Sequence, residues 1–194
     1  MKSIKLIVAT AILILVSTYL TSCKLMTPKA EVTETTLTPA ESIEQAVKVI
    51  QDVTMRLSAD RDNSQVIVKI VLDNPNGKSI TSVESWLSYD PDALKGERIN
   101  VVDSPFEFTA PYDNTFDEVN GLVMLGRANS DPITTKTINV AEVVFELLED
   151  GTTMIDTYDY QSDMSGHVSA NMLLDGVPYN VLLKPESPAL IIQN

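Results

Sequence analysis

Few residues in this chain offer a place for chemistry to start. Of 194 residues, one is a histidine, His167, and one is a cysteine, Cys23. A Ser-His-Asp triad would have to use His167. That residue stands in Ser165-Gly166-His167-Val168, a turn-like stretch that puts an imidazole on a surface loop rather than between a nucleophile and an orienting acid. No G-x-S-x-G, H-E-x-x-H, Walker or G-x-G-x-x-G pattern occurs. Paired carboxylates can hydrolyse glycosides, but with 27 Asp and Glu residues pairs arise by number alone. The loop Asp113-Asn114-Thr115-Phe116-Asp117-Glu118-Val119-Asn120-Gly121 is rich in the oxygen ligands that calcium prefers. It does not follow an EF-hand loop, whose sixth position is glycine and twelfth glutamate; here these are Glu118 and Met124. A solvated loop is expected, with no metal and no cofactor. These residues point away from an enzyme.

Cys23 carries the one clear covalent signal. Lys2 and Lys5 precede an uncharged apolar run from Leu6 to Leu20, which ends in Leu20-Thr21-Ser22-Cys23. A basic n-region, a short h-region and small residues before a cysteine form a bacterial lipoprotein signal. Cleavage would leave Cys23 to carry the lipid, and several acyl chains, each contributing about 0.8 kcal/mol per buried CH2, hold a protein at a membrane. The apolar run is short for a span, which takes about 20 residues. The expectation is an exported chain, lipid-anchored to a bacterial membrane and facing the envelope or cell surface.

Removing residues 1–22 takes away Lys2 and Lys5 and no acid, leaving 12 basic and 27 acidic residues and a formal charge of −15. That balance excludes nucleic acid and anionic headgroups as natural partners, because phosphate binding relies on Lys and Arg. With Cys23 lipidated no disulfide forms, so the fold has to rest on an apolar core.

Three segments follow: the signal at 1–22, lipidated Cys23 and a tether over 23–52, and a domain over 53–194. The stretch 24–37, rich in Thr, Glu, Lys and Pro, has no apolar period and reads as a flexible spacer. Thr38-Pro39-Ala40-Glu41 is a capping box with proline at the first helical position. Ile43, Ala46, Val47 and Ile50 follow at helical spacing, which permits a short amphipathic helix over 39–51. From Val53 the period is two. Val66, Val68, Ile70 and Leu72 alternate with Gln65, Ile67, Lys69 and Val71. Val83, Ser85, Leu87 and Tyr89 alternate with Glu84, Trp86 and Ser88. Further short strands are expected at 99–102, 106–109, 122–128, 140–148 and 152–160. Asp175-Gly176, between Met172-Leu173-Leu174 and Val177 to Leu183, is a hairpin signal. Many short strands with turns between them predict an all-β antiparallel sandwich.

The stretch Val83-Glu84-Ser85-Trp86-Leu87-Ser88-Tyr89-Asp90-Pro91-Asp92-Ala93-Leu94 resembles the Tyr-Asp-Pro-x-x-Leu strand and turn of cohesin domains. Asn120-Gly121-Leu122-Val123, Val140-Ala141-Glu142-Val143-Val144-Phe145-Glu146-Leu147 and Gly151-Thr152-Thr153-Met154-Ile155 resemble later pieces of the same family in the same order. The resemblance spans 53–194. It implies a jelly-roll β-sandwich and noncovalent capture of a dockerin-type module, which in the family is often part of a polysaccharide-degrading enzyme. The alternatives are a module that binds carbohydrate directly and a structural part of an envelope or surface assembly.

The motif is structural: Tyr89 closes the core, Asp90-Pro91 turns the chain, and Leu94 folds back as a plug. Ser85 departs from the family, which places a large apolar residue there. Alternation turns Glu84, Trp86 and Ser88 outward. In cohesins this strand lies in the sheet whose outer face docks the partner. The segment 140–147 resembles the neighbouring eighth strand, so Glu142, Val144 and Glu146 are expected to extend the same face. These six are the expected partner contacts, with Trp86 as anchor, because aromatics dominate hot spots. Alternation leaves open whether Trp86 is free or covered by a loop or the tether helix, or is turned inward by a bulge.

Overall fold

The computed structural model describes residues 49–193. Cys23, the signal, the tether and most of the expected helix over 39–51 lie outside the described residues; its last three positions, 49–51, are not helical.

The expected antiparallel β-sandwich forms. One layer is a four-stranded sheet in the order β1 (Thr54–Asp62), β2 (Gln65–Asp73), β10 (Thr137–Leu147), β5 (Leu94–Asn100). The other is built from two five-stranded ladders that continue into each other. The first runs β13 (Val177–Asn180), β12 (Val168–Leu174), β3 (Ile80–Ser85), β9 (Gly126–Ile133), β6 (Phe108–Thr109). The second runs β14 (Leu190–Gln193), β11 (Thr152–Thr157), β4 (Leu87–Tyr89), β8 (Leu122–Met124), β7 (Thr115–Asp117). Only Trp86 separates β3 from β4, and only Leu125 separates β8 from β9. The Ser85 N–H donates to the Leu125 carbonyl at 2.8 Å, carrying the ladder across that break.

The period-two pattern explains the core. Val66, Val68, Ile70 and Leu72 of β2 and Val143 and Phe145 of β10 face Val83, Leu87, Tyr89, Val123, Ile155 and Val168 of the other layer, all buried. Two aromatic contacts tie it together: Tyr89 meets Phe145 edge-on at 5.0 Å, and Phe116 meets it edge-on at 5.9 Å. The Tyr89-Asp90-Pro91 turn closes as expected. The Asp90 carbonyl accepts from the Ala93 and Leu94 N–H groups at 3.2 and 2.9 Å, and Leu94 is fully buried. The Asp175-Gly176 hairpin joins β12 to β13, and both turn residues have positive φ, 52° and 80°, as a type I′ turn requires. Ser85 points into the core and its hydroxyl finds no hydrogen-bond partner.

One expectation about the architecture is corrected. The strand containing 140–147 does not lie beside the Trp86 strand. It is β10, paired with β2 and β5 in the opposite layer. The neighbours of β3 and β4 are β12 and β11 on one side and β9 and β8 on the other. Alternation fixes which way a side chain faces relative to its own strand; it carries no information about which strand pairs with which. The run Val140-Ala141-Glu142-Val143-Val144-Phe145 has apolar residues at both parities, as a central strand should, and β10 is central to its sheet.

Candidate functional site

Trp86 sits in the break between β3 and β4, and its backbone is the hinge of the site. Its N–H donates to the His167 carbonyl at 3.1 Å, and its carbonyl accepts from the Tyr158 N–H at 2.9 Å. The chain therefore leaves the sheet after β11 at Tyr158 and rejoins it before β12 at His167. The His167 N–H closes the excursion on the Asp159 carbonyl at 3.0 Å. Asn180 holds the loop from outside, donating through Nδ2 to the Gln161 and Asp163 carbonyls at 3.2 and 3.3 Å.

This crossing brings three rings onto one outer face. Trp86 stacks on His167 with centroids 4.0 Å apart and planes 11° from parallel. Tyr158, 39 % exposed, lies 6.3 Å from Trp86 and 6.2 Å from His167, tilted by 20° and 16°. Trp86 points outward, as alternation requires, and is half-buried because the 158–167 loop lays His167 on it.

Two carboxylates complete the face. Glu84 pairs across the ladder with Gly126. Asp113 comes from the turn before β7, where its N–H donates to Ala110, and Ala110 in turn donates to Gly126. The Asp113 carboxylate lies beside the Trp86 side chain, which favours its charged form. A Cβ on Gly126 would lie 2.2 Å from Asp113 Oδ2, so glycine is what leaves room for the Asp113 carboxylate there. Burial raises the Glu84 carboxyl above its ordinary range, the Asp113 charge raises it further, and His167 partly offsets both. Burial also raises Asp113, while the neighbouring Trp86 side chain and His167 pull it back.

The sign of the Glu84 effect is testable. A carboxyl raised by folding stabilises the fold while protonated, and that contribution is lost as pH rises through its folded value. Glu84→Gln should therefore raise the Tm at pH 7 by about 1–3 °C. The gain should close as the pH falls below the carboxylate range, about pH 3. Calorimetric melts of both proteins across that range check it.

Charge is segregated between the layers. Among the described residues, the four-stranded sheet carries Arg56, Arg61, Lys69, Lys95 and Arg98. Its ion pairs include Arg56–Asp73 at 3.2 Å and Lys69–Asp60 at 2.7 Å. The strands of the other layer carry one basic residue, Arg127. It is 5 % exposed and turned inward, its guanidinium donating to Thr109 Oγ1 and the Phe106 carbonyl. Glu84, Asp113, Asp117 and Asp156 thus meet no lysine or arginine from the strands of their own layer.

The six expected contacts divide between these faces. Glu84, Trp86 and Ser88 share the outer face of the β3–β4 layer, with Ser88 between Asp156 and Leu122 in the ladder. Glu142, Val144 and Glu146 face outward from the opposite layer, so they do not extend the Trp86 face. There Asn100 Nδ2 donates to Glu142 at 3.4 Å, Lys95 pairs with Glu146 at 3.6 Å, and Val144 is only 2 % exposed. Reasoning from the sequence placed His167 on a plain surface loop and missed Asp113 as a site residue. The signal for the aromatics was present: Ile155 facing in turns Tyr158 out, and Val168 facing in turns His167 out.

Among the described residues no group of three or more His, Cys, Asp or Glu is placed to hold a metal ion. In the 113–121 loop, Asp117 instead accepts from the Asn120 backbone and side chain at 3.1 and 2.7 Å, which holds its carboxyl below the usual range. An aromatic stack with two part-buried acids and no positioned nucleophile suits noncovalent recognition.

No family model matches the chain, and no curated protein matches it. Solved structures do. A type II cohesin domain from the cellulosome of Acetivibrio cellulolyticus aligns over 72 % of this chain and 94 % of its own, at 17 % identity and a TM-score of 0.50. A type I cohesin–dockerin complex from Clostridium thermocellum aligns over 67 % and 92 %, at 15 % identity and a TM-score of 0.49. The seventh ScaB type I cohesin of Pseudobacteroides cellulosolvens aligns over 66 % and 83 %, at 12 % identity and a TM-score of 0.46. Cohesin domains are non-catalytic binding modules. At these identities the likeness is one of architecture: the chain has the cohesin fold.

Proposed function

We propose that this chain is an exported, lipid-anchored binding protein whose cohesin-fold domain captures a dockerin-type module on the outer face of the β3–β4 layer. The capture would serve polysaccharide breakdown at the cell surface. The observation that carries the reading is Trp86, half-buried at the centre of a face whose charged groups are acidic. An aromatic anchor ringed by polar groups is the anatomy of a hot spot. An acidic surround steers a basic partner to it.

The test is capture from the source organism's secreted and envelope proteins by residues 24–194, in calcium and then in EDTA. Dockerin folding generally depends on calcium. The expected result is a protein held in calcium, released by EDTA and lost in Trp86→Ala. A second reading, direct glycan binding, is favoured by the near-parallel Trp86 and Tyr158 rings and opposed by His167 occupying one indole face. Retention on insoluble polysaccharide with no protein captured would select it. The anchor has its own test: Cys23→Ser should abolish radiolabelled palmitate incorporation and move the protein out of the membrane fraction. Unchanged labelling would remove the lipoprotein reading.

A further inference from the structure

The geometry points to the chemistry of the partner's anchor: an arginine side chain of a basic segment, seated between Glu84 and Asp113 against Trp86. This inference rests on the docking reading and specifies what that face selects.

Three independent features converge on a cation. The first is spatial. Glu84 is the ladder partner of Gly126, and Asp113 Oδ2 occupies the space where a Gly126 Cβ would be. The Asp113 carboxylate thus occupies a side-chain-free position of the sheet directly across the ladder from Glu84. The second is electrostatic. Each acid is partly desolvated, Glu84 also feels the Asp113 charge, and neither has a Lys or Arg ion-pair partner among the described residues. Among the described residues the basic side chains borne on strands stand on the other layer or, for Arg127, turn inward, Lys78, Lys136 and Lys184 lie between strands, and none forms an ion pair with either acid, so this face is complementary to a cation. The third is aromatic. The indole is held by its stack on His167, and Tyr158 stands beside it. Cations bind over aromatic faces. A planar guanidinium with several donors answers all three features better than an ammonium, because it can stack and bridge two carboxylates in one pose.

Trp86 is the only tryptophan, so its indole is a single spectroscopic reporter inside the site. The probe is an acetylated, amidated Gly-Arg-Gly tripeptide titrated into 15N-labelled chain 24–194, with the indole N–H cross-peak as readout. Gly-citrulline-Gly is the neutral isostere. The expected result is a saturable shift with the arginine peptide, weaker by about tenfold or more with citrulline. The shift should also be lost in the Glu84→Gln/Asp113→Asn double variant, whose dispersed spectrum shows that it is folded. No saturable shift, or an equal shift with citrulline or in the double variant, overturns the inference. Capture separates the two levels. A dockerin module held by the wild type and held equally by the double variant in low salt keeps the docking reading and removes the arginine.

Discussion

Phe145→Ala is expected to lower the stability of the domain by about 3–5 kcal/mol, the cost of truncating a fully buried phenylalanine. Phe145 is 0 % exposed and is the point where the two layers interlock. It comes from β10 of one layer and meets Tyr89 of β4 in the other at 5.0 Å, with Phe116 of β7 closing on it at 5.9 Å. Edge-to-face pairs of this kind each contribute about 0.5–1.5 kcal/mol beyond area burial, and alanine removes both together. Refilling the space is restricted. Phe116 lies over Gly96, where a Cβ would come within 2.2 Å of its ring, so the ring is held by backbone on its other side. With no disulfide available, a loss of this size is a large fraction of a typical net stability of about 5–15 kcal/mol. Urea denaturation of wild type and variant at 25 °C measures it. A loss below about 1 kcal/mol would show that this contact is not tightly packed.

Trp86→Ala is expected to weaken partner capture by about 2–4 kcal/mol, or roughly 30- to 1000-fold in Kd. The indole is the bulkiest side chain on the face, and its orientation is fixed by its ring neighbour and its backbone. His167 lies parallel at 4.0 Å, and the Trp86 backbone carries both ends of the 158–167 loop. A fixed aromatic loses little conformational entropy on binding, which is why such anchors dominate interfaces. The backbone hydrogen bonds do not depend on the side chain, so the fold should survive the change. A cooperative melt confirms that the loss is one of contact. Calorimetry with the captured module gives the number, and an unchanged Kd would move the docking site away from this tryptophan.

How much of this was legible depends on the range of the physics involved. The Tyr89-Asp90-Pro91-Leu94 closure and the Asp175-Gly176 hairpin were readable because turn chemistry is local and each requirement falls within a few residues. The outward set Glu84, Trp86 and Ser88 was readable because period two survives along one strand. The layer of β10 was not. Its pairing with β2 and β5 is a long-range choice that alternation does not encode, so Glu142, Val144 and Glu146 were joined to the wrong face. His167 was hidden for a related reason. The loop from Tyr158 to His167 breaks the period, and its ends meet by bonding to the backbone of Trp86, far away in the chain, and to each other through His167 and Asp159. Asp113 reaches the site from a third segment, through a turn flanked by positive φ at Tyr112 and Asn114, 70° and 61°. The described part of the site is thus an assembly of three distant segments on one sheet, with the 80–89 strand the one of them whose outward side chains were nominated.

The partner is expected to dock on the Trp86 layer. Hydrogen exchange of chain 24–194, alone and with the captured module, reads that surface most directly. Exchange should slow in 80–89, 113–128 and 152–168 and stay unchanged across 65–73 and 137–147. Protection confined to the latter two segments would place the interface on the β2–β10 face and contradict the assignment of Trp86 as its anchor.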